Sequence, residues 1–215
     1  MNNLQKRILT SVVTLPISLI FIFTGGYFLL FFLLTIFFVA NYELFSVFKK
    51  KTTILFLDLI LIITLFLIYH LRDESLISLY LLIWFIVLTI CSDVGGYTFG
   101  KIFKWKKITK ISPKKTLSGV LGSFILSLSS LIIMEMILVS TSIINFLEPK
   151  FFFLAIILSL MAQGGDLTIS YFKRLEKIKD TGKILPGHGG IFDRIDSLMF
   201  VIILGFLLYN FKILP

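Results

Sequence analysis

The sequence predicts an all-α fold, a polytopic integral membrane bundle of about seven transmembrane helices. Three observations predict it. Hydrophobic residues make up 57% of the chain and Phe alone occurs 24 times in 215 residues, far outside the range of a soluble domain. The apolar residues fall in runs of roughly 20, the length needed to cross a hydrocarbon core. Short polar breaks rich in Gly, Pro or Lys separate the runs, which leaves room for one helical domain over residues 1–215 and no soluble module.

The elements follow in order. Residues 8–48 are apolar almost throughout and too long for one span; Thr24, Gly25 and Gly26 divide them into a helix near Ile8–Phe23 and another near Tyr27–Val47, joined by a tight hairpin. No small-x-small cleavage pattern follows the first run, so it reads as an uncleaved span. Lys49, Lys50 and Lys51 close the second helix. A third span covers Thr53–Leu71 and a fourth about Leu76–Ser92. The polar loop from Lys101 to Thr116 holds seven Lys and Pro113, and the fifth span is near Leu117–Val139. After a turn at Asn145–Lys150, a sixth helix starts at Phe151, reaches Ala162 and enters the polar run Gln163–Asp166. Residues 170–196 are a charged island, and a seventh helix covers Leu198–Phe211.

Charge orients the bundle. The N-terminus, the Lys49–Lys51 cluster, the Lys101–Thr116 loop and the charged island carry 18 of the 21 Lys and Arg; Arg72, Lys150 and Lys212 lie on the other side. Basic loops stay cytoplasmic, which predicts an N-terminus and a chemical site on the cytoplasmic face. The net charge of +9 is explained by this topology and by anionic headgroups, not by nucleic acid, whose ligands would lie outside a polytopic core. A single Cys91 excludes an internal disulfide, and one Cys with two His argues against structural zinc.

Acidic residues in or beside the spans are the next filter, because charge at the bilayer centre is costly and usually faces protein. Asp58 and Glu135 read as polar links between helices, Glu135 equally as an acid at the outer interface. Glu43 either borders a site or meets the nearby Lys cluster. Asp93 and Asp166 each end an apolar run on the basic side beside a glycine pair, Gly95–Gly96 or Gly164–Gly165, with close backbone approach expected there. Asp193 and Asp196 are three apart and share a face if the last helix starts near Phe192. A hard divalent cation suits such carboxylates. The bland alternative for the pair is a solvated helix start favoured by the dipole; the turn at Gly187–Gly190 and the neighbouring cations favour a phosphate site. Ser170, His188 and Asp193 do not make a hydrolase triad, for no serine-nucleophile elbow is present. The SPKKTLSG stretch, Ser112–Gly119, lacks the P-loop pattern, but Lys114 and Lys115 suit phosphate.

The island reads SYFKRLEKIKDTGKILPGHGGIFDRID. It resembles the C-terminal signature of the phosphatidate cytidylyltransferases, also called CDP-diacylglycerol synthases, through Ser170, Lys173-Arg174, Lys179-Asp180, Pro186-Gly187-His188-Gly189-Gly190 and Asp193-Arg194-Ile195-Asp196. Gln163–Ser170 is similar to the family's QxGDLxxS run, and DVGGYTFGK with ISPKKTLSG to its Asp-bearing helix end and SPxKT loop. Ser118 stands where Glu is common, the chain is shorter than typical bacterial members, and the N-terminal half resembles the family only in hydrophobicity and the Tyr42-Glu43 pair.

The resemblance implies transfer of CMP from CTP to phosphatidate, giving CDP-diacylglycerol and pyrophosphate, in a bacterial-type inner membrane. It implies N-terminal spans within 8–92 and a catalytic part at 93–215. Asp166 and Asp193 are expected to hold Mg2+, with Asp196 and Asp93 in support and Lys173 and Arg174 as catalytic cations. Ser112, Lys114, Lys115, Thr116, Ser170, Lys179, His188, Gly189, Gly190 and Arg194 are expected to bind substrate. A second, monovalent cation and a homodimer fit the same expectation. The rival readings are a transporter or channel subunit using Asp58 and Glu135, and a CDP-alcohol phosphotransferase, whose DGxxAR pattern is absent.

Overall fold

The computed structural model describes residues 3–109, 111–112, 115–138, 143–182, 184 and 189–215, with side chains from residue 10 and excepting residue 11. Within them the chain forms seven α-helices: α1 Asn3–Thr24, α2 Gly26–Val47, α3 Lys51–Glu74, α4 Leu76–Phe103, α5 Leu117–Leu138, α6 Pro149–Leu175 and α7 Phe192–Asn210. Helices α2 to α6 are long and apolar enough to cross a membrane; the apolar part of α1, Val12–Thr24, is shorter. The first turn and a half of α7 carries Asp193, Arg194 and Asp196, so its apolar length begins only at Ser197. The protein is a polytopic helical membrane protein, as its composition predicts.

Local chemistry sets the ends. Gly25 and Gly26 take φ of 65° and 54°, a left-handed conformation natural to glycine, and this makes the expected hairpin between α1 and α2. Arg72, at the end of α3, donates from Nε to the Ile22 carbonyl at 2.9 Å and from Nη2 to that of Phe23 at 2.8 Å. It thus satisfies carbonyls that the end of α1 leaves open. Ser75 and Ser78 form a reciprocal capping box at the start of α4, and Pro149 occupies the first turn of α6. α6 ends where Lys177 turns left-handed and the Ile178 amide reaches back to the Lys173 carbonyl at 3.0 Å.

One boundary differs from the sequence expectation, and one that the sequence leaves open is closed. α4 runs past Ser92 through Asp93, Gly95 and Gly96 to Phe103, and α6 runs through Gln163–Asp166 to Leu175. Polar residues do not stop these helices, because neighbouring helices and the cavity between them receive the polar side chains. The boundary expected at residues 92 and 93 therefore falls inside a continuous helix.

The core is one apolar cluster, with Trp84, Phe85, Phe146 and Phe151 buried together. The Trp84 indole donates to Ser130 Oγ at 3.1 Å, satisfying its one polar atom. Glu135 accepts the Phe146 amide at 2.9 Å, so this acid ties the α5–α6 turn to α5. Asp58 keeps one buried carboxylate oxygen without a hydrogen-bond partner among the described residues.

α4 and α5 make the tightest crossing. A Cβ on Gly95 would stand 2.2 Å from the Gly122 carbonyl oxygen, and one on Gly119 2.8 Å from that of Gly96. These glycines allow two backbones to touch, the device expected where helices pack without a hydrophobic drive between them. Close backbone approach is expected at both glycine pairs; at Gly95 and Gly96 its partner is α5, whereas a Cβ on Gly164 would meet nothing within 4 Å and one on Gly165 would meet the Phe200 side chain and not backbone.

Candidate active site

The basic segments gather at one end of the bundle. The Lys50 amide donates to Glu176 Oε1 at 3.2 Å, Lys115 Nζ to the Gln163 carbonyl at 3.0 Å, and Arg174 Nε to the Ile111 carbonyl at 3.4 Å. The α2–α3 turn, the Lys-rich loop and the end of α6 are therefore neighbours, while the Arg72 tie closes the opposite end.

A cavity of about 390 Å³ opens at this end, among α4, α5, α6, α7 and the Lys-rich loop. Asp93 and Tyr97 come from α4, Asp166 and Lys173 from α6, and Asp193, Arg194 and Asp196 from α7, while Asp180 precedes α7. Asp166, Ser170 and Lys173 fall at spacings of four and three on continuous α6, hence on one face. Ser112, Lys115 and Thr116 reach the rim because the loop turns back on itself. Lys107 and Thr116 pair antiparallel, and the Ile108 amide donates to the Lys115 carbonyl at 3.0 Å. Thr116 Oγ1 accepts the Gly119 amide at 3.2 Å and so caps α5.

Ion pairs order the charges. Lys173 Nζ lies 2.9 Å from Asp193 Oδ1 and 3.9 Å from Asp196 Oδ2, with all three side chains largely buried. Asp193 Oδ2 accepts the amides of Thr181 at 2.8 Å and Gly190 at 3.1 Å. Lys115 Nζ lies 2.9 Å from Asp166 Oδ2, and Ser170 Oγ donates to Asp166 Oδ1 at 3.2 Å. Asp196 Oδ1 accepts the Ser197 amide at 2.8 Å.

Several expected residues sit differently. Ser170 is buried behind the wall and serves Asp166. The Gly190 amide is spent on Asp193. Arg174 and Lys179 are exposed and, like Gly189, outside the cavity lining, with Arg174 turned to the carbonyls of Ile111 and Ile178. Lys114 and His188 lie outside the described residues.

The structure also brings in residues that local patterns did not single out. Gln163, Asp180, Ser92 and Ser123 line the cavity; Asp180 sits in the signature beside Lys179, which was the available signal. Ser92 Oγ and Ser159 Oγ are 2.9 Å apart, and Ser123 Oγ donates to the Ser92 carbonyl at 2.8 Å. Among the described residues Glu43 neither lines the cavity nor pairs with Lys. Its Oε1 and Oε2 each accept an amide at 3.1 Å, from Ile191 and Phe192.

No three Asp, Glu, His or Cys side chains among the described residues form a ready metal cage. The donor chemistry nevertheless fits a hard cation, which binds through a few carboxylates, waters and substrate phosphates: the carboxylates of Asp93, Asp166, Asp180, Asp193 and Asp196 line one cavity. Asp166 and Asp193 now carry the Lys115 and Lys173 ammoniums, so a cation there would exchange with them. The arrangement can neutralise and orient polyanions.

Comparison with known proteins agrees with this chemistry. Residues 48–212 match the model of the cytidylyltransferase family. The chain is 45% identical over 136 residues to a phosphatidate cytidylyltransferase of Staphylococcus saprophyticus, covering 63% of this chain and 50% of that protein. It is 41% identical over 122 residues to one of Helicobacter pylori, covering 55% and 43%, and 40% identical over 140 residues to one of Staphylococcus aureus, covering 62% and 49%. The chain thus spans about half the length of the curated relatives it matches.

Proposed function

The chain belongs to the cytidylyltransferase family, and from that premise we propose that it transfers CMP from CTP to phosphatidate, giving CDP-diacylglycerol and pyrophosphate. The observation that carries this reading is the single cavity where Asp93, Asp166, Asp193 and Asp196 meet Lys115, Lys173 and Arg194 at the basic end of the bundle. Charge asymmetry favours the cytoplasm for that end, where CTP is found, and the surrounding helices bring a lipid headgroup within reach of the cavity.

The reaction brings two polyanions together. A phosphate oxygen of phosphatidate attacks the α-phosphorus of CTP and forms the new P–O bond. The bond from that phosphorus to the α–β bridging oxygen breaks, and its electron pair leaves with pyrophosphate. No protein nucleophile is needed. Lys115, Lys173 and Arg194 cancel repulsion between the substrates and stabilise charge on the equatorial and leaving oxygens. Thr116 and Ser112 at the rim supply hydroxyl groups, and Lys179 and Arg174 act from outside the lining on phosphates that approach. Mg2+, held with Asp166 and Asp193 and supported by Asp93 and Asp196, would supply Lewis-acid neutralisation of the triphosphate.

The test is pyrophosphate release from CTP in detergent micelles. Release that requires both phosphatidate and Mg2+, and that falls at least about a hundredfold in Asp193→Asn, supports the reading. Full activity of that variant removes Asp193 from the site, and release without lipid removes the substrate assignment.

A further inference from the structure

Glu43 stands outside the stretch matched to the family, on α2, yet it is bound to the site. It is 1% exposed and contacts a segment 148 residues later in the chain. α7 begins without a cap of its own: Ile191 occupies the N-cap position in α-helical conformation and no side-chain hydrogen bond closes it. Glu43 supplies the missing acceptors, one carboxylate oxygen to the Ile191 amide and the other to the Phe192 amide, each at 3.1 Å. A carboxylate there also favours the positive end of the helix dipole.

The same carboxylate meets the segment before α7 at two further points. A Cβ on Gly182 would stand 2.3 Å from Glu43 Oε1, and one on Gly190 2.4 Å from Oε2. Both glycines leave room for the acid. Immediately beside them, the Thr181 and Gly190 amides bind Asp193 Oδ2. Two carboxylates therefore hold Thr181, Gly190, Ile191 and Phe192, Asp193 from α7 and Glu43 from α2.

We propose that Glu43 is a positioning residue for the proposed nucleotidyl transfer: it fixes the start of α7, and through it the Asp193 carboxylate, without touching substrate. The inference rests on the proposed function for its kinetic arm alone. Glu43→Gln keeps the shape but replaces one acceptor oxygen with an NH2 group, which cannot accept an amide hydrogen. Gly182→Ala leaves the charge and displaces the carboxylate.

The experiment joins two readouts on the full chain in detergent. Hydrogen exchange of the peptide covering Ile191 and Phe192, measured without substrate, is expected to quicken at least about tenfold in Glu43→Gln and in Gly182→Ala, with the α4 and α5 peptides unchanged. Turnover of CTP with phosphatidate is expected to fall about ten- to a hundredfold in either variant, and no further when Glu43→Gln is added to Asp193→Asn. Unchanged exchange at α7 overturns the proposal, as does a Glu43→Gln effect that multiplies in full onto that of Asp193→Asn. A wild type that turns over no CTP rejects the proposed function, and the exchange result then still decides whether Glu43 holds α7.

Discussion

Lys173 Nζ and Asp193 Oδ1 meet at 2.9 Å with side chains 8% and 5% exposed, joining α6 to α7 across the cavity. Removing one partner leaves the other charged and buried, which costs about 3–5 kcal/mol. Lys173→Met is therefore expected to lower stability by about that amount, read as a drop in the thermal unfolding midpoint in detergent. Adding Asp193→Asn should recover part of the loss, since the orphaned charge goes with it.

The glycines of the α4–α5 crossing separate packing from propensity. Gly95→Ala places a methyl 2.2 Å from a backbone oxygen, whereas a Cβ on Gly164 has nothing within 4 Å. Gly95→Ala should destabilise by about 1–3 kcal/mol or more. Gly164→Ala should stabilise by up to about 1 kcal/mol through helix propensity. Parallel thermal scans of the two variants check both signs.

Arg72 caps α1 at the end of the bundle away from the cavity. Arg72→Ala should cost about 1.5–3 kcal/mol, the range for hydrogen bonds to a charged group, and expose the α1–α2 turn to limited proteolysis. Turnover per folded molecule should stay within about twofold of wild type, because surface and remote sites add independently.

Lys115 pairs with Asp166 at the rim. Lys115→Ala should lower turnover by about tenfold to a thousandfold, the scale of losing one electrostatic contact at a transferring group. Chelation by EDTA should abolish turnover in the wild type, and Mg2+ should restore it. Turnover that persists in EDTA would reject the metal.

Reporter fusions after Asp73 and after Ile108 should report opposite sides of the membrane, with residue 108 cytoplasmic. A shared side would reject the topology.

How much of this could be read from the chain depends on the range of the signal. The α1–α2 hairpin was legible because Gly25 and Gly26 are adjacent and their left-handed geometry is a local property. The convergence of Asp93, Asp166, Asp193 and Lys115 was legible because each carries charge at the same end of an apolar run. The sequence puts a helix end at Ser92 that α4 passes, and leaves the end of α6 open, since a polar residue inside a helix and one after it look alike until the neighbouring helices are known. Ser170 and Gly190 carry the right groups but spend them on Asp166 and Asp193, a matter of orientation that spacing does not record. Glu43 is legible as an acid near the basic end, but its role is not, because its partners are two backbone amides in a distant segment.

The contact of Gly95 with Gly122 lies directly behind the cavity wall that Gly96 and Gly119 line. Backbone lies on backbone at Gly95, with the Phe99 side chain packed against Gly122 beside it, a seam with little slack to absorb a change of width. Any breathing needed to admit a bulky triphosphate or release pyrophosphate must then fall on the facing wall of α6 and α7, where spacing is kept by ion pairs that can exchange partners. The division makes α4 and α5 the anvil of the site and leaves its compliance to the charged side.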